Sequence, residues 1–159
     1  MTGQEAIQSA LGSTGGMLNM FLGDFTDAEL LARPVPNANH TAWQLGHLIH
    51  SEVQMVLSQL PDAKVPALPS GFAEAHNKEH AKSDTGFLTK AAYLDLFEKV
   101  RAASTAAVAG ADLDMASTGE MAGFAPKLGD FFLLIANHTM MHVGQFTAVR
   151  RKLGKPVLM

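Results

Sequence analysis

Residues 127–156 read KLGDFFLLIANHTMMHVGQFTAVRRKLGKP. Phe131, Leu134, His138, His142, Gln145 and Val149 fall near one angular position of a 3.6-residue repeat, a mainly apolar stripe suited to an interior. Arg150, Arg151 and Lys152 complement the negative end of a helix dipole, and Gly154 and Pro156 cannot continue it. This stretch predicts a long helix from about Lys127 to the basic triplet.

Working back along the chain, Thr89 can cap a helix through Ala92, Leu96, Phe97 and Val100, with Gly110 as its stop. Thr41-Ala42-Trp43-Gln44 has the form of a capping box, predicting a helix from about Ala42 to Leu60 before Pro61. Gly3 to Leu22 carries Ile7, Leu11, Leu18 and Phe21 at near-helical spacing, with Gly15 and Gly16 as a weak point where the helix can kink. Pro34, Pro36, Asn37 and Asn39 make residues 33–40 a linker. Residues 61–86 form a long crossover rich in Pro and polar side chains, with no regular element predicted. Four helices, one long connection and no β alternation predict an all-α four-helix bundle.

The chain has 159 residues and a mass of 16.9 kDa, which fits a single domain over 1–159. With 47% apolar and 17% charged residues it has the hydrophobicity to fold. A net charge of −3 and a pI near 6.1 argue against nucleic acid as a partner, since phosphate backbones demand a concentrated basic face. No stretch of ~20 apolar residues suggests a membrane span, and no signal-peptide pattern opens the chain, so a cytoplasmic location is expected. There is no Cys, which removes disulfides, thiolate ligands and cysteine nucleophiles; any thiol in the chemistry must arrive with a ligand. Nine Met residues are adaptable filler for a core or an irregular pocket.

His138 and His142 are four residues apart, so their imidazoles leave one helix face about one turn apart and can grip a single metal ion. A third ligand must come from elsewhere. His47 and His50 lie on the second helix, and His40 precedes it. His76 and His80 form another pair at spacing four inside the crossover, where solvated loop histidines are the expectation. The helical wheel does not single out His47. It sits away from the stripe of Leu45, Leu48, Ile49, Val56 and Leu60, in a polar wedge with Gln44, Ser51 and Gln54 that is either simply exposed or borders a cleft.

Asn39-His40-Thr41-Ala42-Trp43-Gln44-Leu45-Gly46-His47, with Glu52 five residues on, and Asn137-His138-Thr139-Met140-Met141-His142-Val143-Gly144-Gln145 resemble the DinB/YfiT-like superfamily of metal-dependent enzymes. The stretch to Gly154-Lys155-Pro156 also looks like that family's last helix. The resemblance implies an up-down-down-up bundle whose long connection joins the second and third helices. It implies a divalent-metal site of His47, His138 and His142, and it is the resemblance that selects His47 over His50. Some relatives conjugate low-molecular-weight thiols such as bacillithiol, mycothiol or glutathione, and others are thiol-dependent isomerases.

Three neutral imidazoles leave a metal its double positive charge and an open position for water or ligand. The leading expectation is transfer of a small thiol co-substrate to an electrophilic small molecule, with Gln145 orienting a ligand and Trp43 walling the pocket or simply packing. A hydrolase using activated water is the alternative, with Glu52 as candidate base, although that carboxylate lies about 140° round the helix from His47. A non-catalytic, stress-related metal-binding bundle is the third reading, and it requires a closed shell without a cavity. All-His sites suit several metals, with zinc and nickel expected first. A homodimer is expected as well.

Overall fold

The computed structural model describes residues 1–158. It is all-helical: α1 (Gly3–Leu22), α2 (Thr41–Gln59), α3 (Phe72–Ala75), α4 (Lys90–Ala109) and α5 (Leu128–Lys152), with single 3-10 turns at Glu29–Leu31 and Glu120–Gly123. Among the described residues there is no strand, only an isolated antiparallel bridge between Ala116 and Lys127. Among the described residues, no helix is long and apolar enough to cross a membrane.

Local chemistry explains the helix ends. Thr2 caps α1 in a box with Glu5, the Thr2 hydroxyl accepting from Glu5 N and the Glu5 carboxylate from Thr2 N. α1 runs unbroken through Gly15 and Gly16. Gly15 is buried, facing Phe97 and Arg101 of α4. Thr89 caps α4 as expected. The cap of α2 differs: His40, not Thr41, is the N-cap, its Nδ1 accepting from Trp43 N at 3.1 Å. The Gln44 side chain is thereby free of capping duty. At the end of α5, Gly154 takes a φ of 69° and Lys155 N donates back to Arg150 O, closing the last turn.

Of the four long helices, α1 packs on α4 and α5, and α2 packs on the same two. Their interior holds two apolar clusters. One gathers Leu18, Phe21, Leu45, Ile49, Phe97, Phe146 and Val149; the other gathers Ile7, Leu11, Val56, Val108, Leu128, Phe132 and Ile135. Between them in sequence register on every long helix lies a polar layer. The Arg101 guanidinium of α4 donates to Leu11 O and Thr14 Oγ1 of α1, to Glu52 Oε2 of α2 at 2.8 Å, and to Thr139 Oγ1 of α5 at 2.7 Å.

The crossover is mostly irregular, yet it is stapled to the bundle. Arg33 donates to Ala38 O, Ala81 O, Ser83 O and the Asp84 carboxylate, and His40 Nε2 reaches Ser83 O at 2.9 Å. His76 is buried, which corrects the expectation of a solvated loop histidine: Nδ1 pairs with Phe72 O at 2.7 Å and Nε2 with the Tyr93 hydroxyl at 2.6 Å. His80 is exposed, and its ring bonds only Asn77 Oδ1. Gly46 explains how the crossover docks on α2. A Cβ there would sit 1.9 Å from the His76 ring, so only glycine admits that imidazole.

Candidate metal centre

His47 on α2 and His138 and His142 on α5 bring one ring nitrogen each to within 4.8 Å of one another, the one such cluster among the described residues. Ring centroids are 5.2 Å apart for His47 and His138, 5.4 Å for His47 and His142, and 4.9 Å for His138 and His142. Nitrogens bound tetrahedrally at ~2.0–2.1 Å from one ion stand roughly 3.3 Å apart. The His138 and His142 Nε2 atoms are already 3.2 Å apart, and His47 needs only a small side-chain adjustment.

The protonation state fits a metal as well. Burial pushes the His142 imidazole down to about 3 and His47 to about 4, with the charge of neighbouring histidines adding to the effect; burial also lowers His138. All three are therefore neutral at physiological pH and present lone pairs. The His142 tautomer is set by Gln44. The Gln44 amide Nε2 donates to Asn39 O at 2.9 Å, which leaves Oε1 to accept from His142 Nδ1–H at 2.8 Å. His142 Nε2 is then an acceptor facing His138 Nε2, and two imidazole nitrogens at that distance need a proton or a cation between them. The donor set thus fits a divalent ion.

Trp43 lies flat on His47, with ring centroids 5.1 Å apart and planes 5° apart, and its Nε1 donates to Asn77 O in the crossover. It fixes the His47 ring rather than lining the adjoining cleft. That cleft, of about 520 Å³, opens between α2 and α5 and includes His47, Ser51 and Gln54 from the polar wedge, His138 and Asn137 from α5, and Met55, Met121 and Met141. The wedge that the wheel left ambiguous therefore borders a cleft.

The other candidates lie apart from it. Glu52 is buried and ion-paired with Arg101, and it does not line the cleft. Gln145 is exposed on α5 and lies outside the lining, while the amide bonded to the His142 imidazole is that of Gln44. A sequence signal for Gln44 existed: it precedes His47 by three residues on the same wedge. His50 lines a different depression, against the crossover.

An all-α chain whose long helices converge three neutral imidazoles beside an open cleft defines a helical protein with a candidate three-histidine metal centre. A family model described as the DinB superfamily matches residues 10–146, which include all three histidines. The chain belongs to the DinB superfamily. No curated protein matches it significantly.

Proposed function

We propose that this protein is a divalent-metal-dependent enzyme that transfers a low-molecular-weight thiol to an electrophilic small molecule, with His47, His138 and His142 holding one zinc or nickel ion. A bound ion would supply Lewis acidity, lowering the pKa of a thiol or water that joins it. The three imidazoles are held neutral and Gln44 aims the His142 lone pair, while Trp43 fixes the plane of His47. The observation that carries the reading is the convergence of three donors at the edge of an open cleft. A purely structural clamp needs no cavity there.

The lining favours thiol transfer over hydrolysis. No Asp or Glu faces the cleft, and Glu52, the carboxylate nearest His47 in sequence, is taken up by Arg101. A thiol needs no further base once its pKa is lowered.

The family's up-down-down-up order suits the two apolar clusters. One holds early residues of α1 and α5 (Ile7, Leu128) with late residues of α2 and α4 (Val56, Val108), as that order requires. A single domain, a small-molecule partner, a cytoplasmic setting and a homodimer complete the proposal.

The test is to load the protein with cobalt and titrate small thiols while following the ligand-field spectrum. The expected result is a saturable change that His142→Ala abolishes. A spectrum indifferent to every thiol, in protein that does bind cobalt, would remove thiol transfer and leave the metal site.

A further inference from the structure

The cleft beside the histidines does not end at Met55. Gln54, Met55 and Met121 line both it and a second depression of about 310 Å³, which continues past Ser58 and Gln59 to the segment Thr118–Glu120. From His47 to Gln59 along α2 this groove spans ~18 Å at 1.5 Å per residue. Its walls are apolar and adaptable: Met55, Met121, Leu134 and Met141 near the histidines, Phe131 farther on. No Lys or Arg lines either part, and the one charged side chain is the Glu120 carboxylate at the far end.

We propose that the substrate is an elongated molecule whose reactive end meets the three histidines and whose neutral, apolar tail lies along α2 in this groove. The inference rests on the metal-dependent reading for the reactive end only; the tail site stands on the groove itself. An anionic tail finds no cation to pair with and meets Glu120, so carboxylate-ended molecules are disfavoured by charge as well as by desolvation.

The experiment is calorimetric titration of straight-chain alkyl hydroxamates, ethyl to decyl, and of the same chains ending in a carboxylate. The protein is used zinc-loaded, metal-free and as Glu120→Lys, an exposed position whose replacement leaves the core untouched. For the zinc-loaded protein, affinity should rise about fourfold per added methylene, the gain expected for burying each group. The carboxylate-ended chains should bind at least tenfold more weakly than their methyl-ended counterparts, and Glu120→Lys should recover most of that loss for the long ones. Affinity that does not change with chain length, or carboxylate chains binding as well as neutral ones, would overturn the proposal. If zinc-loaded and metal-free protein show the same rise and the same affinities, the tail site stands and the metal-dependent reading fails.

Discussion

Gln44 is the residue on which the geometry of the centre turns. Its amide is oriented by Asn39 O and in turn orients His142, an arrangement in which a neighbour fixes the tautomer and raises the basicity of a ligand. Gln44→Ala should weaken metal binding by ~10–100-fold while the helical content is unchanged. Gln44→Glu, which keeps an acceptor for His142 Nδ1–H, should retain most of the affinity. Trp43, the sole tryptophan, is stacked on His47 and gives a fluorescence readout for the titration. Equal affinity in Gln44→Ala and the parent would remove Gln44 from the site. That His138 and His142 leave one face of α5 was legible from spacing, because positions four apart share a helix face. Gln44 was not, because the same residue also completes a capping pattern with Thr41. His40 takes the cap instead, its Nδ1 accepting from Trp43 N, and apolar periodicity does not decide which of two adjacent residues caps a helix.

At the scale of elements, the glycines separate into two kinds. Gly12 and Gly16 of α1 are exposed with open space where a Cβ would go, so Gly16→Ala should stabilise the protein by about 0.5–1 kcal/mol, read as a higher urea midpoint. Gly46→Ala should do the reverse, costing ~1–3 kcal/mol by driving His76 and the crossover off α2. Because that contact adjoins His47, metal affinity should fall with it. The long helices were readable from caps, stops and apolar spacing. The crossover was not, since it is held by Arg33, His40, Trp43 and His76 through contacts between segments far apart in sequence. Polar residues in such a segment look solvated until their partners are known.

Over the whole molecule, the polar layer between the apolar clusters ties all four long helices through Arg101. Arg101→Met should cost ~3–5 kcal/mol, because it leaves the Glu52 carboxylate buried without its partner; Arg101→Met with Glu52→Leu should recover much of this. A double variant no more stable than the single one would contradict that account. Acid sensitivity follows from other buried groups. His40 and His76 have lowered pKa values, chiefly through burial, so the folded state keeps them neutral while the unfolded chain protonates them near the ordinary value of 6.5. The unfolded state then binds more protons, and stability should fall as pH drops below about 6.5. Urea midpoints between pH 7.5 and 5.5 check this, and His40→Asn, which can still cap α2, should flatten the slope. An all-α fold and the family were legible from sequence because helix periodicity and the two His-containing motifs are local patterns. The Arg101 layer was not, because it joins single polar residues from four helices, each unremarkable in its own segment.

The most direct test of the central claim is the metal content of untagged protein, by elemental analysis, beside His142→Ala. About one equivalent of zinc or nickel per chain, lost in the variant while its helical circular dichroism is retained, is the expected result. Protein that takes up no divalent metal at any loading would contradict it, leaving three neutral histidines converged for some other purpose.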